Sequence, residues 1–307
     1  MGDKVSLVNT ENSEDIKDGV YKALEKINFK INRPIEKVAI KPNLAYYWDA
    51  NTGYTTDPRV VAALIDWVRD EYGESVNIKV VESDATAMRT HLAFRILGYN
   101  KLAEQKKVEL FNLSKDTIVE KKVFVKSREI KYKVPELLLN SDLFINVPKF
   151  KIMREVKITC AMKNIFGCIA YPKKTIYHPY INEAVVGINK VLQPHLSVVD
   201  GIVGLGKFPI KLDLIMASKD PFSTDWVASK IMGFNPHNVP FLKITEKENI
   251  WNSRGIEIVG EKFDTFRKIF PKEGLISTKL SWAFQLKLLN FYSKIIGDII
   301  PPFLEKE

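Results

Sequence analysis

The sequence predicts an α/β fold with two lobes of mostly parallel sheet and crossover helices, closed by a C-terminal amphipathic helix. Three observations carry this expectation. Short β-rich runs alternate with helical patterns along the first 265 residues, as in sheets built by crossover connections. Four of the strands run straight into polar or charged clusters, and parallel sheets gather ligands at the carboxyl ends of their strands. From Ser277 onward the alternation gives way to one apolar stripe, Leu280, Phe284, Leu288, Phe291 and Ile295, at helical spacing.

Taken in order, Lys4 to Val8 reads as a strand and Ser13 to Ile27 as a helix capped by Ser13 or Asn12. Val38-Ala39-Ile40 is a buried strand that ends on Lys41-Pro42-Asn43-Leu44. Asp57-Pro58 opens a helix, with Asp as cap and Pro in the first turn. Ile78 to Val81 is a strand followed by the polar loop Glu82 to Thr86. Thr90 caps a helix that stops at Gly98, Val108 to Leu110 returns to strand, and 121–125 with 129–133 form a hairpin. The second half has a strand at Leu143 to Val147, ending on Pro148-Lys149-Phe150-Lys151, then helical stretches at 158–166 and 181–192. Strand Leu196 to Asp200, strand Leu212 to Ala217 and helix Pro221 to Met232 complete it. The expected division is an N-terminal lobe over 1–140, a second lobe over 141–265 and a helical extension over 266–307. That extension docks on the core, or serves as a dimerisation or membrane-surface helix, since no acidic residue falls between Thr278 and Gly297.

Composition narrows the function classes. The chain has 307 residues with 46 Lys plus Arg against 37 Asp plus Glu, a net charge of +9, and an ordinary 46% of hydrophobic residues, which excludes global disorder. No apolar run approaches the roughly 20 residues that span a bilayer. Met1-Gly2-Asp3-Lys4-Val5 opens on a strand-like pattern without the basic-then-apolar order of a signal peptide, so cytoplasmic placement is expected. Two cysteines, Cys160 and Cys168, are too few for a disulfide framework or an iron–sulfur centre, and the four histidines lack zinc spacing.

The charge is concentrated. Between Asn146 and His178 lie Lys149, Lys151, Arg154, Lys157, Lys163, Lys173 and Lys174 against a single acid, Glu155; seven minus one is six of the net nine charges. Lys163-Asn164 sits between the apolar runs Cys160-Ala161-Met162 and Ile165 to Ile169, which places it at a cleft. A lysine there needs a carboxylate partner or an anionic ligand, because burying it unpaired is costly. Nucleic acid is the weaker partner reading, for no recognised binding motif accompanies the charge. Gly201 to Lys207 imitates a phosphate loop but continues into Phe208-Pro209 with no Ser or Thr for magnesium; it is expected as a flexible loop able to contact an anion, and a nucleotide hydrolase is excluded. His178, just after the basic window, is the candidate ligand or proton carrier.

These segments resemble a known family. Ile-Lys-Pro-Asn-Leu (40–44), Thr-Thr-Asp-Pro (55–58), Gly-Tyr (98–99), Ile-Asn-Val-Pro-Lys-Phe-Lys (145–151), Ala-Met-Lys-Asn-Ile-Phe-Gly-Cys (161–168), Val-Val-Asp-Gly-Ile (198–202) and Asp-Pro-Phe-Ser-Thr-Asp (220–225) resemble, in one unbroken order, domain-of-unknown-function family 362. Some members carry a fused ferredoxin-like segment. This chain lacks those cysteines, so no intrinsic iron–sulfur cluster is expected. It also departs from the family at Ile152-Met153, where many members have Thr-His, and in its shorter segment from Gly204 to Pro209. A fainter similarity, the spacing of Lys163 and His178, is to the nickel-pincer lactate racemase family, and implies that Lys163 contacts an anionic cofactor or substrate while His178 acts as ligand or proton carrier.

The resulting expectation is an enzyme that binds a small carboxylate or phosphate in a lysine-lined cleft. Lys41, Asn43, Lys149, Lys151 and Asn164 would hold the substrate, and His178, Lys163, Glu82 and Asp200 would act on it. The alternative is a non-catalytic accessory protein for an anionic macromolecule or redox partner. A closed pocket favours the first and an open basic strip the second. Metal, cofactor and reaction are left open.

Overall fold

The computed structural model describes residues 3–11, 16–86, 88–153, 155–251, 253–267 and 270. The expected C-terminal helix lies outside the described residues. The first half forms β1 (Lys4–Asn9), α1 (Ile16–Lys26), β2 (Lys37–Pro42), α2 (Pro58–Tyr72), β3 (Asn77–Glu82), α3 (Thr90–Ile96), α4 (Tyr99–Lys106) and β4 (Glu109–Asn112). The hairpin β5 (Ile118–Val125) and β6 (Arg128–Pro135) and the short α5 (Glu136–Leu139) follow. The second half forms β7 (Leu143–Val147), β8 (Lys149–Met153), β9 (Lys157–Thr159), α6 (Ala161–Ile165), α7 (Ile181–Val191), β10 (Leu196–Leu205), β11 (Pro209–Ser218), α8 (Pro221–Ile231), α9 (Pro240–Lys247), β12 (Glu257–Gly260) and α10 (Phe263–Arg267).

The fold is α/β, built on a mostly parallel ten-stranded sheet in the order β12-β1-β11-β10-β7-β2-β3-β4, with β8 and β9 branching from β10. This one sheet takes strands from either side of residue 140. Its central strands are buried on both faces, which is why they read as continuous apolar runs. Along β7, Phe144 faces one core layer while Leu143, Ile145 and Val147 face the other. The first layer holds the buried faces of α7, α8 and α9 and of the β5–β6 hairpin; the second holds those of α1, α2 and α4. β2, β3 and β7 run parallel in register, Lys41 opposite Asn146 and Ile40 opposite Val80. Their carboxyl ends therefore open at one edge.

Two local expectations change. The stretch 158–166 is not one helix: Ile158 pairs with Ile152 in the β8–β9 hairpin, and the helix begins only at Ala161. Its start is set from far away, because the Asp225 carboxylate accepts from the N–H groups of Ala161 (2.6 Å) and Met162 (3.1 Å). No local capping residue announces it. The Gly201 to Lys207 segment is strand as far as Leu205, paired with β11, and only Gly206 to Phe208 turns. Gly201 serves close packing there, since a Cβ would stand 2.9 Å from the carbonyl of Leu214.

Candidate functional site

β2 delivers the first functional groups. Lys41 is 1% exposed, and its Nζ donates to Glu82 Oε2 at 2.9 Å, lies 2.9 Å from Oε1, and donates to the Pro42 carbonyl at 2.9 Å. Glu82 comes from the end of β3 and also accepts from the backbone N–H groups of Leu44 and Ser83. Gly167 permits this approach: a Cβ on it would lie 2.9 Å from Lys41 Nζ. Asn43 is held by Thr56, whose hydroxyl accepts from the Asn43 N–H (2.8 Å) and donates to the Val147 carbonyl (2.8 Å). Asn43 Nδ2 donates to Asn164 Oδ1 at 2.8 Å, and Asn164 Nδ2 donates to Asn146 Oδ1 at 2.8 Å. A chain of buried amides thus joins β2, α6 and β7.

β8 supplies two lysines with different surroundings. Lys149 donates to Asp200 Oδ2 at 2.8 Å, and both side chains are shut from solvent. Asp200 also accepts from the N–H groups of Asp57 and Ile202, so it is a satisfied buried strut. Lys151 donates to Asn43 Oδ1 and to the Tyr54 carbonyl, each at 2.8 Å, with no carboxylate among its partners. Burial first, then the charges of Lys163, Lys149 and Lys41, push its pKa down to about 7.

α6 and the 3₁₀ segment Lys174–Tyr180 complete the wall. Lys163 forms no salt bridge among the described residues; its Nζ stands 4.1 Å from the centroid of the Phe166 ring, and burial, opposed by the charge of Glu155 and aided by that of Lys41, lowers its pKa to about 8. Lys174 donates to Ser83 Oγ (2.5 Å), Asp84 O (2.9 Å) and Gly167 O (3.1 Å), and burial lowers its pKa to about 8. His178 Nδ1 lies 3.4 Å from Glu155 Oε1. Both cysteines are buried: burial pushes the Cys168 thiol up to about 12, and burial with Asp225 beside it raises Cys160. Neither is poised as a thiolate.

These groups face one cavity of about 730 Å³. Five lysines line it (Lys41, Lys151, Lys163, Lys174 and Lys207) against two carboxylates, Glu82 and Glu155. Tyr46, Trp48 and Tyr54 form its mouth, 41%, 52% and 43% exposed, with the Tyr46 and Trp48 rings stacked at 6.0 Å. A floor of cations, three of them buried, under an aromatic mouth is suited to an anion with an apolar body. Among the described residues no group of three or more His, Cys, Asp and Glu side chains gathers to hold a metal.

Of the residues singled out in the sequence, the structure brings together Lys41, Asn43, Glu82, Lys151, Lys163, Asn164 and His178 around the cavity. Lys149 and Asp200 lie behind that wall, paired to each other. Lys174 of the basic window, Lys207 of the glycine-containing segment and Ser83 of the polar loop join the site without having been assigned to it, and the aromatic mouth is new. The run Tyr46-Tyr47-Trp48, directly behind the Lys41-Pro42-Asn43 strand end, was the available signal for the mouth.

A family model described as a domain of unknown function (DUF362) matches residues 38–230, which span every one of these groups. The chain is 30% identical over 122 residues to the thylakoid-associated protein sll1697 of Synechocystis sp., covering 36% of this chain and 38% of that protein. It thus spans well under half the length of that relative. Among solved structures, a protein from Thermotoga maritima is similar with a TM-score of 0.39 and 12% identity, over 60% of this chain and 50% of the other. The lactate racemase apoprotein from Thermoanaerobacterium thermosaccharolyticum is similar with a TM-score of 0.36 and 14% identity, over 64% and 49%.

Proposed function

The chain belongs to the DUF362 family, a domain of unknown function, and from that premise we propose that its activity resides in the lysine-lined cavity, as an enzyme acting on an organic anion. The observation that carries this reading is the charge imbalance inside a concave site: five lysines face two carboxylates, and of the five only Lys41 has a carboxylate at bonding distance among the described residues. Unmatched cations in a partly dehydrated pocket are costly unless a ligand brings negative charge. The size and the mouth specify the rest of the ligand. A cavity of about 730 Å³ is in the range that encloses metabolite- or drug-sized molecules, far above the ~30 Å³ share of one water. A carboxylate or phosphate on Lys163 and its neighbours would leave the body of the molecule against Tyr46 and Trp48.

On this reading the protein serves a water-soluble metabolite in the cytoplasm, and the concave shape of the site supports catalysis over the rival role as an accessory for an anionic macromolecule. The test is titration calorimetry of the full chain with acetate, 1-naphthoate and 1-naphthylmethanol. Naphthoate should bind more tightly than acetate, and the alcohol more weakly than either acid. Equal binding of the naphthoate and its alcohol would sink the anion reading.

A second reading rests on exposure at the mouth. Trp48 is 52% exposed and Phe208, beside the cavity residue Lys207, is 65% exposed, a pairing of aromatic and basic groups that suits a membrane surface. The thylakoid-associated relative points the same way. No helix of the described residues is long and apolar enough to cross a membrane, so such contact would be peripheral. Co-sedimentation with anionic vesicles, lost in Trp48→Ser, would support it; no binding at low salt would remove it.

A further inference from the structure

We propose that Lys151 is a nucleophile that captures a carbonyl-bearing organic anion as an imine. The inference rests on the anion-binding reading of the same cavity and adds the substrate class. It starts from donor counting. A lysine ammonium has three N–H donors, whereas the free amine has two and a lone pair. Lys41 meets three oxygens, the Pro42 carbonyl and both oxygens of Glu82. Lys174 also meets three, Ser83 Oγ and the carbonyls of Asp84 and Gly167. Lys151 meets two, Asn43 Oδ1 and the Tyr54 carbonyl, and both are neutral.

Lys151 is 2% exposed, and a third N–H would find no acceptor among the described protein groups. The two oxygens match the free amine and leave its lone pair unengaged. Asn43 cannot readily turn to offer a different group, because its amide nitrogen is already committed to Asn164. Burial and three neighbouring lysines favour the same neutral form, with a pKa of about 7. A desolvated amine beside other cations, on the wall of a pocket, is the arrangement that activates lysine toward carbonyls.

The step balances without an external oxidant or reductant. The Lys151 nitrogen lone pair forms a bond to the carbonyl carbon, and an amine proton passes to the carbonyl oxygen, giving a carbinolamine. Lys163, which lines the same cavity, then gives a proton to that hydroxyl as the C–O bond breaks. Water leaves, the iminium keeps its N–H and positive charge, and Lys163 becomes neutral. The substrate is accordingly a 2-oxo acid or an aldehyde acid, its anionic group on the remaining lysines.

The test is reductive trapping on the unmodified full chain at pH 7, with cyanoborohydride and either pyruvate or 4-formylbenzoate, read by peptide mapping. An ordinary lysine near pKa 10.4 has on the order of a thousandfold less free amine at this pH. Lys151 should therefore carry the reduced adduct at least about tenfold above any surface lysine, even with nucleophilicity falling as pKa falls, and above Lys163 and Lys174 by a smaller margin. Mapping the unmodified chain removes any dependence on whether Lys151→Arg folds. If neither probe marks Lys151 above surface lysines, the proposal is overturned. Acetone gives the separate arm: if it marks Lys151 as strongly as pyruvate does, the imine chemistry stands and the anion requirement falls. Naphthoate binding with no trapping would leave the anion reading intact and sink the nucleophile.

Discussion

Lys149 and Lys151 stand two residues apart on β8, in regions of opposite character. Lys149 belongs to the packed interior behind the cavity, where Asp200, itself held by two backbone N–H groups, neutralises it. Lys151 belongs to the cavity wall, where its partners are an amide oxygen and a carbonyl. Both are 2% exposed or less, so burial alone does not separate them. The pairing does. A buried charge with a carboxylate is a strut, while a buried amine with neutral acceptors is a group whose charge is open to change by a ligand or by pH.

The difference should be largest in stability. Asp200→Ala strands Lys149 in the interior and frees the N–H groups of Asp57 and Ile202, so it should cost about 3–5 kcal/mol in urea denaturation. Lys151→Met removes two neutral hydrogen bonds and should cost less than about 2 kcal/mol. Equal losses would erase the distinction between strut and wall. Next in size is Gly167→Ala, whose new Cβ would meet Lys41 Nζ at 2.9 Å. It should cost about 1–3 kcal/mol as overpacking and should loosen the Lys41–Glu82 pair, lowering naphthoate affinity as well.

How much of this was legible in the sequence follows the range of each signal. Lys41 and Asn43 could be found because a short apolar strand runs directly into them, and Lys163-Asn164 because buried runs flank it on both sides. The 121–133 hairpin and the helix at Pro58 were equally local. What failed to show was set by distant contacts. Lys149 and Asp200 looked like site residues because each ends an apolar strand, and only the β8–β10 pairing, with Asp200 opposite Lys149, turns them toward each other. Lys174 is placed by Ser83, Asp84 and Gly167, none of them its neighbours in sequence. The strand β9 was read as helix because the cap that delays α6 is Asp225, far along the chain.

Lys163 sharpens the comparison from the binding side. It lines the cavity against the Phe166 ring, and Glu155 acts on it only through space, so removing it breaks no hydrogen bond among the described residues. Lys163→Met should therefore leave urea stability within about 0.5 kcal/mol of the unmodified chain. It should weaken naphthoate binding about tenfold, or roughly 1.4 kcal/mol, and leave the weaker 1-naphthylmethanol binding unchanged. A loss of alcohol binding as large as the loss of acid binding would mean that Lys163 shapes the pocket and does not meet the charge.

The smallest effect is in pH dependence, and its sign follows from Lys151. Burial and its lysine neighbours lower the folded-state pKa to about 7, while the unfolded chain keeps a lysine near 10.4. Between these values the unfolded state binds more protons than the folded state, so stability contributed at this position rises with pH. Below pH 7 both states are protonated and the folded chain bears the full cost of burying the charge; above about 10.4 that cost is gone. The stability of the unmodified chain relative to Lys151→Met should thus increase by about 1 kcal/mol from pH 7 to pH 8. Lys163 and Lys174 titrate in the same direction in both proteins, so the difference between the two denaturation curves isolates Lys151. A flat difference across that interval would mean that Lys151 is held charged like Lys149, and the two ends of β8 would then be the same kind of site.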